Sequence, residues 1–237
     1  MRLMKKYKVL LFDLDGTLTD PKEGITKCVQ YALEYMGIKE DNLDKFEKFI
    51  GPPLDNSFRE FYGMSDEDAW KAVAKYRERF NKVGKYENYV YDGMKEMLAN
   101  LRKGNCLIGV ATSKPEDMAR DILDKFELTQ YFDEITGSDY EGRLHEKYQV
   151  ILEALKRFGI PEEKFGEVLM IGDRKYDIIG GKLAGVDTMG VQYGYAPEGE
   201  LEESGADYIV DTVEALGEWL KALTLVKTND TIRTSLT

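Results

Sequence analysis

Val9-Leu10-Leu11-Phe12-Asp13-Leu14-Asp15-Gly16-Thr17-Leu18-Thr19-Asp20 is the stretch that decides the fold. Its first four residues are apolar without a break. That pattern fits a strand buried on both faces, as in a parallel sheet covered by helices. The run then ends on two acids and a glycine turn. In open α/β sheets the ligand crevice lies beyond the carboxyl ends of the strands. Asp13 and Asp15 are therefore expected there, one carboxylate placed to attack and the other to act as acid or base.

Working outward, the same design recurs. Leu107-Ile108-Gly109-Val110-Ala111 runs into Thr112 and Ser113, and Val168-Leu169-Met170-Ile171 runs into Gly172 and Asp173, with Asp177 four residues on. Weaker strand candidates are 134–136, 188–191 and 208–210. Helical spacing fills the gaps. Pro115 is expected in a helix's first turn, with Ser113 as its cap and Met118, Ile122, Leu123 and Phe126 along it. Lys147 to Phe158 reads as another helix. Strands alternating with helices predict a three-layer α/β fold on a parallel sheet.

Residues 19–90 break the alternation. Ile25, Val29, Leu33 and Met36 follow helical spacing, and Ser65 with Asp68 resembles a capping box. The helix that follows is predicted to carry Trp70, Val73, Ala74, Arg77 and Phe80 on one stripe. This is a helical insertion, jointed at Thr19 to Lys22 and at Tyr89 to Gly93. The expected organisation is a core of 1–18 and 91–222, an inserted domain of 19–90 and a polar tail of 223–237.

Two strands ending in acidic pairs would bring four carboxylates into one crevice. A hard divalent cation relieves their repulsion, and magnesium prefers such oxygen ligands. A hydroxyl and backbone amides at a helix start suit phosphate oxygens, which points to Thr112 and Ser113. Lys147 opens the helix leading into the Asp173 strand, so its ammonium can reach the crevice. Lys114 is a rival cation, expected to point away.

The 237 residues are 43% hydrophobic and 32% charged, as in a soluble globular chain. A net charge of −11 disfavours nucleic acid polymers and anionic membranes as partners. Cys28 and Cys106 fit no metal or redox spacing, and the single histidine, His145, excludes a His-rich zinc site. No apolar run is long enough for a signal peptide or a membrane span, so a cytoplasmic protein is expected. A P-loop enzyme is excluded by the missing GxxxxGK[ST]. The pattern does not separate a monomer from a homodimer.

Taken in order, FDLDGTL, Thr112, Lys147 and GDRKYD resemble the haloacid dehalogenase superfamily over about Tyr7 to Ala222. Within it the chain is similar to the phosphoglycolate phosphatase group, and more so to a 5′-nucleotidase-like bacterial subgroup. The stretches that carry this are DGTLTDPKEGI, IGPPLDNSF, EGRLHEKYQVI and MIGDRKYDIIGGKLAGVDTMGVQYGY. The resemblance implies a Rossmann-like core with a helical cap inserted after the first motif. It implies a magnesium-dependent phosphatase acting on a small phosphorylated metabolite through an aspartyl phosphate. Asp13 would be the nucleophile and Asp15 the acid and base. Thr112, Ser113 and Gly16 would bind the phosphoryl group, and Lys147 would neutralise it. Asp13, the Asp15 carbonyl, Asp173 and Asp177 would hold the metal. A Lys-Pro-x-Pro run common in phosphoglycolate phosphatases is replaced here by Lys147-Tyr148-Gln149, which leaves the substrate open among phosphoglycolate, a nucleoside monophosphate, a sugar phosphate and pyrophosphate. In the cap, Pro52 of the stiff loop 51–54 and Arg59 are expected to face the substrate. A phosphomutase and a non-catalytic phosphate-binding module are the alternatives.

Overall fold

The structure is a computed structural model describing residues 7–140 and 143–224. The expected tail falls largely on 225–237, outside the described residues. In chain order the elements are β1 (Val9–Phe12), β2 (Thr19–Asp20), α1 (Lys22–Tyr35), α2 (Leu54–Tyr62), α3 (Asp66–Lys82), β3 (Tyr89–Val90), α4 (Met94–Leu101), β4 (Leu107–Pro115) and α5 (Glu116–Lys125). There follow β5 (Glu134–Ser138), α6 (Lys147–Arg157), β6 (Val168–Gly172), α7 (Lys175–Ala184), β7 (Asp187–Val191), α8 (Glu200–Glu203), β8 (Tyr208–Val210) and α9 (Val213–Thr224).

The six core strands form one parallel sheet in the order β5-β4-β1-β6-β7-β8. β1 lies between β4 and β6, with Phe12 opposite Val110 on one side and Ile171 on the other. The strand order reverses here, which is where an open α/β sheet leaves a crevice. Alternate β1 side chains serve opposite layers, as the strand period of two requires. Leu10 and Phe12 pack with Met94, Leu98, Ile122, Leu216 and Leu220 of α4, α5 and α9. Val9 and Leu11 pack with Val150, Ile151, Ala154 and Leu155 of α6. Burial on both sides explains the uninterrupted apolar run. Among the described residues no helix is long and apolar enough to cross a membrane.

The chain leaves the core through β2 and returns through β3, which pair antiparallel as a two-residue neck. Between them α1, α2 and α3 enclose a separate apolar cluster around Phe46, Phe49, Phe58, Val73, Tyr76 and Phe80. Ser65 caps α3 by accepting from the Asp68 N–H. The buried stripe of α3 is Ala69, Ala72, Val73, Tyr76 and Phe80. Trp70 is 52% exposed, and Ala74 and Arg77 also face outward. The predicted stripe thus shared Val73 and Phe80 with the buried one but took in outward neighbours as well. Each residue turns a helix by about 100°, so a one-residue error in phase changes the face.

A second expectation also needs correction. β4 runs on to Pro115, α5 starts at Glu116 without a side-chain cap, and Ser113 is exposed rather than capping it.

Phe49 meets Phe46, Phe58, Phe61 and Tyr62 at ring-centroid distances of 5.1–6.4 Å. Phe49→Ala should therefore destabilise the inserted domain by about 3–5 kcal/mol. Urea unfolding followed by Trp70 fluorescence would measure it, and a cost below about 1 kcal/mol would contradict the packing described.

Candidate active site

Strand register delivers the first two acids. The Asp13 N–H donates to the Ile171 carbonyl at 2.9 Å, so Asp13 leaves β1 beside the end of β6, where Asp173 follows Gly172. Asp177 comes from the first turn of α7, where its Oδ2 accepts from the Arg174 N–H at 3.1 Å. One carboxylate oxygen from each of Asp13, Asp173 and Asp177 lies within 4.8 Å of the others.

Lys147 reaches the same point from the start of α6. Gln149 fixes that helix end by accepting from the Glu146 and His145 N–H groups at 2.9 and 3.0 Å. The Lys147 Nζ lies 2.8 Å from Asp177 Oδ1 and 3.0 Å from Asp13 Oδ1, and it donates to the Ala111 carbonyl at 3.1 Å. Both carboxylate contacts are ion pairs lying off the ideal hydrogen-bond direction.

Burial dominates the electrostatics. It pushes the Asp173 carboxyl well above the usual aspartate range, and the charges of Asp177 and Asp13 push it further. Asp177 is raised as well, first by burial, with Lys147 partly offsetting the rise. Burial works against the charge on Lys147, but Asp13 and Asp177 outweigh it and hold the ammonium above its ordinary value. Unpaired buried charge is costly, so this arrangement calls for more positive charge than Lys147 supplies.

Asp173 is wedged between two backbone segments. Gly16 adopts φ +81°, and a Cβ there would lie 2.1 Å from Asp173 Oδ2. A Cβ on Gly194 would lie 2.3 Å from Asp173 Cβ. The Tyr195 N–H donates to Asp173 Oδ2 at 2.8 Å, and the Thr17 hydroxyl donates to Oδ1 at 3.4 Å. The Gly16 N–H donates to the Thr19 carbonyl at 2.7 Å, so what Gly16 gives the site is close approach.

Asp15 sits apart from the three clustered carboxylates. Its Oδ2 lies 2.6 Å from the Lys114 Nζ, and its Oδ1 is buried without a hydrogen-bond partner. Burial raises its carboxyl above the ordinary value, Lys114 pulls it back, and Asp13 adds to the rise. Lys114 therefore points into the site, contrary to the expectation that it would point away. The register of β4 against β5 shifts between Ala111 and Pro115, and this irregularity breaks the simple alternation of faces. Thr112 is buried, and its Oγ1 accepts from the Lys114 N–H at 3.3 Å.

A cavity of about 680 Å³ opens between the inserted domain and the core, with Pro52, Lys48 and Phe61 on one wall and Arg174, Tyr176 and Tyr195 on the other. Arg59 is not among its lining residues. It is bound within its own domain by Asp55 at 2.7 Å and Asp66 at 2.9 Å. Arg174, Gly194 and Tyr195 were not singled out from sequence. The only signal for Arg174 was its place between Asp173 and Asp177.

Residues 10–191 match the family model of haloacid dehalogenase-like hydrolases. The chain is 43% identical over 217 residues to a 5′-nucleotidase of Pseudomonas aeruginosa, covering 92% of this chain and 97% of that protein. It is 33% identical over 216 residues to the tyrosine-protein kinase PtkA of Mycobacterium tuberculosis, covering 90% of this chain and 72% of that protein. A crystal structure of a predicted phosphatase from Clostridium acetobutylicum superposes with a TM-score of 0.85 at 42% identity, covering 90% of this chain and 98% of that one. The chain belongs to the haloacid dehalogenase-like hydrolase family.

The raised carboxyls fix the sign of a pH effect. An aspartate raised in the folded state binds its proton at a pH where the unfolded chain, with its ordinary value near 3.8, has released it. Its contribution to stability is therefore greatest at low pH and is lost as pH rises through the raised value. In EDTA, Asp173→Asn should melt several degrees higher than the parent protein at pH 8, and the gap should close toward pH 4. An equal or lower melting temperature at pH 8 would contradict a destabilising charge at Asp173.

Proposed function

We propose that this hydrolase is a magnesium-dependent phosphatase that releases phosphate from nucleoside monophosphates through a phosphorylated Asp13. The observation that carries this reading is the gathering of Asp13, Asp173 and Asp177 around one point beside the Lys147 ammonium.

The residues fit a hard divalent ion. Asp13, Asp15, Asp173 and Asp177 face two ammonium groups, Lys147 and Lys114, leaving two negative charges uncompensated. An all-oxygen donor set of this kind suits magnesium. Asp13, Asp173 and Asp177 would hold it, with the Asp15 carbonyl as a further donor. Bound there, the ion would supply positive charge against the phosphate dianion.

The protein's own groups divide the rest of the work. Asp13 is the nucleophile; its carboxylate oxygen forms a bond to phosphorus as the ester oxygen leaves. Lys147 offsets charge on Asp13 and on the phosphoryl oxygens in flight. Thr112 and Ser113 bind those oxygens. Asp15 donates a proton to the departing ester oxygen, then takes one from the water that hydrolyses the acyl phosphate.

Two observations favour a nucleoside leaving group. The cavity between the domains, which borders the clustered acids through Gly194 and Tyr195 and is not lined by them, is larger than glycolate requires, and Phe61, Tyr91, Tyr176, Tyr193 and Tyr195 line it. Aromatic rings of this kind can stack on a base. The similarity to a 5′-nucleotidase over nearly the full length of both chains points the same way.

A panel of phosphorylated metabolites, scored for phosphate release and for isomer formation, would test this. Nucleoside monophosphates should be turned over best, and isomerisation of a sugar phosphate would favour a phosphomutase instead. Asp13→Asn should cut turnover by about 10³-fold or more. EDTA should do the same, with recovery on adding magnesium. Substantial turnover after either treatment would refute the mechanism.

A further inference from the structure

Lys114 stands outside the carboxylate cluster, yet its side chain is only 8% exposed. Three contacts hold it. Its Nζ lies 2.6 Å from Asp15 Oδ2. The same Nζ lies 4.7 Å from the centroid of the Phe80 ring. Its backbone N–H donates to the Thr112 hydroxyl at 3.3 Å. Lys114 and Asp15 belong to the core, whereas Phe80 belongs to α3 of the inserted domain.

Phe80 is itself fixed, stacked on Tyr76 at 5.4 Å and buried in the apolar cluster of that domain. The ammonium is therefore enclosed between a core carboxylate and a ring carried by the other domain. A cation gains more from a ring face, and from a carboxylate, when water is excluded from both. Among the described residues Asp15 has no other anchor at its carboxylate, since Oδ1 is buried without a hydrogen-bond partner. Without Lys114 the carboxylate would be free to swing away toward water.

We propose that Lys114 is a positioning residue: it aims the Asp15 carboxylate at the leaving-group oxygen, and it does so fully only while Phe80 of the inserted domain covers it. Proton delivery to the leaving group is thereby tied to the docking of that domain on the core. The inference rests on the reading of Asp15 as the proton donor. It extends that reading by naming the residues that make the donor sensitive to the cap.

Leaving-group dependence separates positioning from a merely structural role. A nitrophenolate departs with little help from a proton, whereas an alkoxide needs one. The test compares kcat/KM for p-nitrophenyl phosphate and for an alkyl phosphate monoester, with folding of each variant checked by thermal unfolding. Lys114→Met should lower the alkyl value by about 10²-fold and the nitrophenyl value by less than about 10-fold, in line with the usual size of general acid catalysis. Lys114→Arg, which keeps the charge, should recover most of the alkyl activity. Phe80→Leu, which stays apolar but removes the ring, should show the same selectivity in smaller measure.

Equal losses on both esters in Lys114→Met, or no loss on either, would overturn the positioning role. An unchanged ester ratio in Phe80→Leu would overturn the link to the cap. Asp15→Asn distinguishes the two levels. If it too lacks leaving-group selectivity, the reading of Asp15 fails and this inference falls with it; if it is selective while Lys114→Met is not, this inference alone fails.

Discussion

A buried ammonium must be paired on every side, and Lys147 meets that demand by drawing on three other elements. Asp13 comes from the end of β1, the Ala111 carbonyl from β4, and Asp177 from α7. Lys147 itself starts α6. One cation therefore fixes where four segments converge at the carboxyl edge of the sheet. Removing it would leave two buried carboxylates facing each other across a dry space, a cost of several kcal/mol by the usual measure of broken buried pairs. The pairing is also incomplete by design. Among the described residues Asp173 has no ion pair: the Tyr195 N–H and the Thr17 hydroxyl hold it, and the charge of neighbouring Arg174 offsets its burial only in part. Stability is given up at this edge, the trade expected of a functional site.

The inserted domain meets the core close to this cluster. Its neck, β2 with β3, begins only a few residues after Asp15. Arg174, between two cluster acids, pairs with Glu200 at 2.8 Å and also donates to the Ile50 carbonyl of the inserted domain. The Tyr195 hydroxyl donates to Asp20 in the neck, while the Tyr195 N–H holds Asp173. Lys114 makes the third link through Phe80. Each joins the acids or their immediate support to the domain above them. A shift of that domain would be felt at the acids through packed, bonded contacts rather than through solvent.

The sheet was legible because both faces of each central strand are covered. Val9 to Phe12 and Val168 to Ile171 are buried throughout, so their apolar runs are continuous and their ends unambiguous. Acids placed just beyond such ends fall in the crevice by register alone, which is how Asp13 and Asp173 come together. Where a reading depended on helix phase or local bending, sequence was a poorer guide. Helical spacing puts Trp70 on one stripe with Val73 and Phe80, but the buried stripe of α3 passes one position away. Lys114 directly follows Thr112 and Ser113, a position expected to point away, but the register of β4 shifts past Ala111 and the side chain turns to Asp15. Arg59 looked like a spare cation near the Pro52 loop, yet Asp55 and Asp66 bind it within a few residues. Gly194 and Tyr195 carry no local pattern at all. Their part depends on meeting Asp173 from more than twenty positions away, and only the folded chain reveals such a meeting.

The proposed mechanism requires Asp13 to take the phosphoryl group covalently. Acid quench during turnover of a nucleoside monophosphate, followed by borohydride reduction and peptide mass analysis, reads this out directly. An acyl phosphate is reduced and a free carboxylate is not, so residue 13 should appear as homoserine in proportion to the intermediate trapped. Asp13 recovered unchanged under steady turnover, or reduction found at Asp15, Asp173 or Asp177 instead, would contradict it.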